Sequence, residues 1–178
     1  MTVKCIVMKR FFLLTLCGLI ILFAGCKKDA ISNNFDTSFG KWVSFRNIHN
    51  NSYSYTSYGS SVFGYYAEMK FQVKNGIIIS RDYKAGNYIP NTDSLVIATA
   101  WSENQATLNS HDGSGFDFFT LDQVYNKAQT VWLKADSKTN DIYFDVDTQG
   151  LLATAGYFPK GCQDDCFNGV HIKNISPL

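Results

Sequence analysis

Two of the five cysteines stand close together near the C-terminus, with Cys162 and Cys166 separated by three residues in GCQDDCFNG. A zinc site needs three or four ligands, and of the histidines only His171 follows nearby. The spacing also differs from the C-x-x-C motif of thiol oxidoreductases, and Asp164 and Asp165 would raise the pKa of a neighbouring free thiol. In an exported chain such a pair typically forms a disulfide, so we predict a structural Cys162–Cys166 bond that contributes about 2 kcal/mol.

Two acidic residues, Asp145 and Asp147, precede Gln149-Gly150 and imitate the first half of a calcium-binding loop. Such a loop should end in a bidentate glutamate, but the position that would hold it is Gly156. The two aspartates also share one strand face, which is the arrangement of a glycosidase carboxylate pair. That chemistry requires an acid with a raised pKa, and aspartates beside an exposed turn lack the necessary burial. We therefore predict neither a metal site nor a catalytic pair here.

The three histidines, His49, His111 and His171, each lie in a polar stretch of sequence. No serine or cysteine nucleophile motif stands beside them, and His111-Asp-Gly-Ser-Gly matches the G-x-S-x-G nucleophile elbow only in part. We therefore expect solvated histidines, no catalytic residue and no cofactor.

Tyrosine is the other residue type whose placement could carry function, because seven tyrosines lie between positions 53 and 88. Tyrosine combines apolar area with a polar tip, and it is enriched where a partly wet surface binds a ligand. It is equally usual in ordinary β-sheets, so both interpretations stay open. The candidate binding surface comprises Tyr53, Tyr55, Tyr65 and Tyr66.

The N-terminal segment has the pattern of an export signal. Residues 11–25, FFLLTLCGLIILFAG, are apolar, follow Lys9-Arg10 and precede the polar stretch KKDAISNN. A transmembrane helix needs about 20 apolar residues, which is more than this run provides. A charged start, a short apolar run and small residues before a cut are typical of a secretory signal. A signal anchor or a buried helix is the alternative.

The tetrapeptide Phe23-Ala24-Gly25-Cys26 resembles the lipobox of bacterial lipoproteins, with Phe23 at the position that usually holds leucine. The resemblance implies that residues 1–25 are a lipoprotein signal peptide and that Cys26 is lipidated. The sequence MKRFFLL is an ordinary beginning of such a signal and predicts a true start at Met8, and the polar stretch after Cys26 predicts a tether over residues 26–34. The tract Lys27-Lys28-Asp29 is similar to those of lipoproteins from the Bacteroidota. Because two or more acyl chains anchor a protein stably, the resemblance implies a lipid anchor in the outer membrane, with the protein periplasmic or surface-exposed.

Composition and charge limit the partners of the chain. Its 178 residues include 46% hydrophobic and 17% charged side chains, which is typical of one globular domain. Three basic residues lie in the predicted signal, so 13 of the 16 remain against 15 acidic residues, a formal charge of −2. We therefore expect no nucleic-acid partner, and we expect the membrane to be reached through the N-terminal lipid.

Two helices are predicted from apolar periodicity and capping residues. Apolar side chains from Trp42 to Ile48 recur at helical spacing and predict a helix over residues 36–50. Thr120 and Gln123 form the capping box of a second helix. The stretch Ser94–Leu108 allows either a helix or a strand, and we assign it to a helix.

Alternating segments predict an antiparallel sheet. Residues 65–74 and 77–83 alternate on either side of Asn75-Gly76, which predicts a β-hairpin because both turn positions need a positive φ. Further strands are predicted at residues 53–56, 141–147, 151–158 and 170–175. The expected fold is α+β, with an antiparallel sheet of about five strands and helices packed on one face. It forms a single domain over residues 35–178, with an insertion near residues 84–119.

Several short motifs occur in a recognisable order. They are Trp42, Asn51-Ser-Tyr53-Ser-Tyr55, Val73-Lys-Asn75-Gly76, the helix from Thr120 to Trp132, and Tyr143-x-Asp145 before Gly150. This order resembles a family of small bacterial lipoproteins defined only as a domain of unknown function, over roughly residues 40–176. The layout is similar to PepSY-like and β-lactamase-inhibitor-like modules. The resemblance brings no catalytic residue.

These patterns predict a non-catalytic binding or accessory module of the cell envelope, with an envelope protein or a glycan as its partner. The alternative is a hydrolase that acts on envelope or dietary glycans. A deep cleft that gathers Asp145, Asp147 and His171 would favour the hydrolase.

Overall fold

The computed structural model describes residues 26–111, 113 and 115–178, with side chains from residue 30 onward. The predicted signal peptide and the side chain of Cys26 lie outside this part of the chain. The helices are α1 (Cys26–Ile48), α2 (Leu121–Thr130) and a short 3-10 helix (Trp132–Lys134). The strands are β1 (Tyr53–Ser60), β2 (Tyr65–Lys74), β3 (Ile77–Tyr88), β4 (Leu95–Asn104), β5 (Asn140–Val146), β6 (Leu152–Pro159) and β7 (Asn168–Pro177).

The strands form one antiparallel sheet in the order β4-β3-β2-β1-β7-β6-β5. The predicted α+β class with an antiparallel sheet is confirmed. The predicted number of strands is wrong, because the described part of the chain contributes seven strands rather than about five. The last strand, β7, enters the middle of the sheet beside β1, so the two halves of the chain share one sheet.

Strand β4 is the main correction to the predicted elements. The stretch assigned to a helix from Ser94 to Leu108 is instead a strand from Leu95 to Asn104, paired with β3 from Tyr88 to Ser80. Its β-branched residues lose side-chain freedom in a helix and pack well on a pleated surface. The edge of β3 provides hydrogen-bonding partners for the backbone of β4. The predicted insertion over residues 84–119 therefore contains the end of β3 and all of β4.

Helix α1 begins earlier than predicted. Its helical residues start at Cys26, so the segment assigned to a tether, residues 26–34, is part of the helix. No proline or glycine occurs between Cys26 and Gly40. Once the turns around Trp42 are fixed by packing, the helix can therefore extend toward its N-terminus at low cost.

Two local predictions are confirmed in detail. Asn75 and Gly76 have φ values of 52° and 79° between β2 and β3, as the hairpin turn requires. Thr120 accepts a hydrogen bond from the backbone of Gln123, and the Gln123 side chain accepts one from the backbone of Thr120. This capping box fixes the start of α2.

The face of the sheet that carries Tyr53 holds the apolar core. Tyr53 and Tyr55 of β1 lie opposite Val73 and Phe71 of β2, and all four side chains are at most 1% exposed. Trp42 of α1 is fully buried and meets the Tyr53 ring edge-on, with the ring centroids 5.0 Å apart. We call this the inner face and the opposite one the outer face.

Polar contacts join the two helices above this core. The indole N–H of Trp42 and the guanidinium of Arg46 both donate to Asp122 Oδ1 at 2.8 Å. Asp122 lies in the first turn of α2, where a negative charge is favourable. The hydroxyls of Ser38 and Tyr125 are hydrogen-bonded at 2.9 Å. These contacts fix α2, and with it the segment that precedes it.

Residues 35–178 form one compact unit by their mutual contacts. None of the helices described from residue 26 onward is both long enough and apolar enough to span a membrane.

Candidate functional site

Strands β1 and β7 separate at one end of the sheet. Their pairing ends at Tyr58 and His171, although β1 continues to Ser60 and β7 begins at Asn168. A cleft of about 840 Å³ opens at this point. Its walls come from the β1–β2 turn, the segment before α2, the 3-10 helix and the loop between β6 and β7.

Aromatic side chains form much of the cleft walls. Six of them are Tyr58, Tyr65, Phe116, Phe119, Trp132 and Phe167. Hydroxyls from the end of β1 and a few carboxylates supply the polar groups. Concave sites that combine aromatic walls with polar groups are typical of sites that bind small molecules.

Two glycines allow Phe167 to take its place in the cleft wall. A Cβ on Gly156 would collide with the ring of Phe167, and a Cβ on Gly169 would collide with the carbonyl oxygen of Ala155. The absence of side chains at these two positions lets the Phe167 ring lie on the sheet. The ring then stacks on His171, with their centroids 4.2 Å apart.

The two C-terminal cysteines lie in the same wall. The sulfurs of Cys162 and Cys166 are within disulfide distance, and their Cα atoms are 6.3 Å apart, inside the usual range for such a bond. The predicted disulfide pairing is thus supported by the geometry. The closed loop presents Asp164 and Asp165 at the cleft.

The four candidate tyrosines do not form a single surface. Tyr53 and Tyr55 are core residues: the Tyr53 hydroxyl accepts a hydrogen bond from the backbone N–H of Leu121 at 2.9 Å, and the Tyr55 hydroxyl donates to the Phe119 carbonyl. Burial raises the pKa of both hydroxyls. Their role is to hold the segment that leads into α2 against the sheet.

The adjacent residues Tyr65 and Tyr66 point to opposite faces of the sheet, as successive strand residues must. Tyr65 lines the cleft, is 44% exposed and lies with its hydroxyl 3.2 Å from that of Tyr83. Tyr66 is only 9% exposed on the outer face, where its hydroxyl donates to Glu68 at 2.7 Å. Burial, together with the Glu68 carboxylate, raises the pKa of Tyr66 to about 12. Of the four candidates, Tyr65 alone is well exposed at the cleft.

The acidic residues around Gly150 are part of a turn. Asp147 Oδ1 accepts hydrogen bonds from the backbone N–H groups of Gln149 and Leu151 at 2.8 and 2.9 Å. Asp145 is exposed on β5, two strands away from His171. The structure does not gather Asp145, Asp147 and His171 in one cleft. No group of three metal-ligating side chains occurs in the described residues.

The expectation that every histidine is solvated is wrong for His171. Its ring is half-buried beneath Phe167, and Nδ1 lies 3.1 Å from the hydroxyl of Thr154. Burial lowers the pKa of His171, although the charge of Asp145 opposes this shift. His49 is half-buried and lies beside the Phe45 ring, with centroids 4.5 Å apart. The sequence alone did not indicate that Phe167 would cover His171.

A buried ion pair on β3 and β4 was missed by the sequence analysis. Arg81 and Glu103 are 5% and 2% exposed and are joined by two hydrogen bonds of 2.5 and 3.0 Å. Glu103 also accepts from the backbone N–H groups of Asn109 and His111, at 2.9 and 2.6 Å. The Arg81 side chain lowers the pKa of Glu103 far below its usual range. The only sequence signal of the Arg81–Glu103 pair is one charged residue at an inner-face position of each strand. This signal cannot be recognised until β4 is assigned as a strand.

This ion pair holds the segment after β4. Arg81 donates to the carbonyl of His111 at 2.7 Å, and its guanidinium lies 5.4 Å from the centre of the Phe118 ring. The His111 ring stacks on Trp101 at 4.4 Å and lies 3.0 Å from Glu103 through Nδ1. His111 is therefore also held by specific contacts. The anchored segment leads to Phe116 and Phe119 in the cleft wall.

The fold and the cleft together describe an α+β domain with an aromatic-lined cleft where two strands of its sheet separate. Comparison of the chain with protein families, with curated proteins and with solved structures gave no match. The resemblance to a lipoprotein family remains a prediction.

Proposed function

We propose that the chain is a lipid-anchored protein of the cell envelope whose domain is a non-catalytic binding module, with the cleft as its binding site. The cleft carries the proposal, because its volume of about 840 Å³ lies within the range of small-molecule sites. Its partner is a small ligand or an exposed group of an envelope protein or glycan.

The contacts that hold the cleft walls in place support a binding role. The Arg81–Glu103 pair anchors the segment that leads to Phe116 and Phe119 in one wall, and the Cys162–Cys166 loop belongs to another wall. A preformed site loses little conformational entropy when a ligand binds. In this proposal the helices pack on the inner face and support the segment before α2.

The lipid anchor can be tested through Cys26. Expression of the full chain in a bacterial host should give a product in the membrane fraction, with an intact mass that corresponds to an acylated N-terminal Cys26. The Cys26→Ala variant should accumulate as unprocessed precursor, while Cys162→Ala in the same host should still be acylated. A soluble wild-type product that begins at another residue would refute the anchor.

The binding site can be tested with the three tryptophans as reporters. We expect fragments from a chemically mixed library to shift the indole N–H signal of Trp132, which lines the cleft, in a two-dimensional NMR spectrum of the full chain in detergent. The signal of Trp42, which is fully buried in the core, should not move. A library that leaves Trp132 unperturbed would contradict the proposed function.

A further inference from the structure

The charged side chains that line the cleft, among the described residues, are all acidic. Among the described residues that line it, Asp117, Asp164 and Asp165 are the charged ones, and neither lysine nor arginine lines it. His171 also lines the cleft, and burial lowers its pKa, which disfavours the charged form of its imidazole. A concave site with charges of one sign attracts ligands of the opposite sign.

The protein itself shows how these walls accommodate an ammonium group. Lys127 Nζ lies 4.7 Å from the centre of the Phe119 ring and 5.4 Å from that of Trp132, and it forms a 3.0 Å ion pair with Asp117. Both rings and this carboxylate belong to the cleft wall. An ammonium group over aromatic faces gains about 0.5–2 kcal/mol from the ring quadrupoles.

Two carboxylates remain for a ligand after Lys127 neutralises Asp117. Asp164 and Asp165 are exposed on the loop closed by Cys162 and Cys166. The rings of Tyr65, Phe116 and Phe167 lie in the same cleft. The cleft thus combines an aromatic wall with uncompensated negative charge.

We infer that the cleft binds a small organic cation, with an ammonium group near Asp164 and Asp165 and an apolar body against the aromatic walls. The inference rests on the proposed function and specifies its ligand class. An anion would be repelled by the carboxylates of Asp164 and Asp165 at the opening of the cleft. A neutral ligand of the same shape would gain the apolar contacts alone.

Three probes of similar size and different charge test this inference on the full chain in detergent. We expect 2-phenylethylammonium to bind at least about tenfold more tightly than 2-phenylethanol in isothermal titration, and phenylacetate to bind least. Cellobiose serves as the neutral sugar. Tighter binding of phenylethanol, phenylacetate or cellobiose than of the ammonium would overturn the inference while leaving the cleft as a binding site.

Substitutions in the loop locate the charge effect. The Asp164→Asn/Asp165→Asn variant should bind 2-phenylethylammonium about tenfold more weakly and 2-phenylethanol unchanged. The matched control Asp36→Asn/Asp82→Asn removes the same charge from α1 and from the outer face of β3, and it should behave as wild type. If both double variants weakened the binding of 2-phenylethylammonium equally, Asp164 and Asp165 would have no specific role in binding the ammonium group. If 2-phenylethylammonium fails to bind while library fragments still shift the Trp132 signal, only the inference fails. If the ammonium fails to bind and no fragment shifts the Trp132 signal, the proposed function fails too.

Discussion

The Glu103→Gln variant should lose about 3–5 kcal/mol in its free energy of unfolding, because it leaves the buried guanidinium of Arg81 without a countercharge. Arg81 and Glu103 are both nearly inaccessible to solvent and are joined by two hydrogen bonds. Chemical denaturation of the full chain in detergent measures the loss. If Glu103→Gln does not fold, Arg81→Lys, which keeps the charge but loses the paired geometry, should show a smaller loss in the same direction.

A glutamate on the outer face provides the control. Glu68 pairs with Lys84 at 4.0 Å and with Lys173 at 3.3 Å, and both lysine side chains are more than half exposed. Exposed ion pairs contribute about 0–1 kcal/mol, so Glu68→Gln should cost no more than that. Equal losses in Glu68→Gln and Glu103→Gln would show that burial of the Arg81–Glu103 pair carries no special stability.

The same ion pair predicts a dependence of stability on pH. The pKa of Glu103 lies below its usual value of 4.5 in the folded state, mainly because of Arg81. A carboxyl with a lowered folded-state pKa stabilises the fold fully above its unfolded-state pKa, and this contribution is lost as the pH falls below it. The difference in unfolding free energy between wild type and Glu103→Gln should therefore be constant near neutral pH and shrink below about pH 4.5. A difference that grows in acid would contradict this assignment.

The Trp42→Ala variant should lose about 3–5 kcal/mol, which is typical of truncating a large buried aromatic side chain. Trp42 is fully buried, contacts the rings of Tyr53 and Tyr125, and donates to Asp122. Its removal would leave a cavity between α1, α2 and the sheet, together with an unpaired acceptor. Thermal and chemical unfolding of the full chain in detergent should both report the loss.

Two control variants show how much of the loss in stability comes from the buried packing of Trp42. One is a smaller change at position 42, and the other is a change at the end of α1. Trp42→Phe keeps the ring packing but loses the hydrogen bond to Asp122, so we expect a loss of about 1–3 kcal/mol. Ile48 ends α1 with its side chain 74% exposed, and Ile48→Ala should stay within about 0.5 kcal/mol of wild type. If Ile48→Ala were as destabilising as Trp42→Ala, the loss in Trp42→Ala would not be specific to the buried contacts of Trp42, because alanine favours a helix at both positions.

Local chemistry accounts for the elements that the sequence predicted correctly. The turn at Asn75-Gly76 and the cap at Thr120 depend on residues within a few positions of each other, so their signals are complete in a short stretch of sequence. Strand β4 was predicted incorrectly because its residues allow two conformations. The choice between them was made by pairing with the edge of β3, a strand that lies outside the stretch itself. Strand propensity reflects such packing more than it reflects the backbone.

The candidate site depended still more on tertiary structure. The sequence indicated the cysteine pair through its close spacing, the predicted export and the exclusion of a zinc or C-x-x-C site. The sequence could not separate the buried Tyr53 from the exposed Tyr65, because both alternate along strands and only contacts in the folded structure, such as that of Trp42 with Tyr53, bury one of them. The Arg81–Glu103 pair joins residues on different strands, and the cleft exists where β1 and β7 separate. The sequence by itself determined the local turns, caps and crosslink, whereas tertiary contacts decided which side chains are buried and where a ligand can enter, because burial is a property of the assembled sheet.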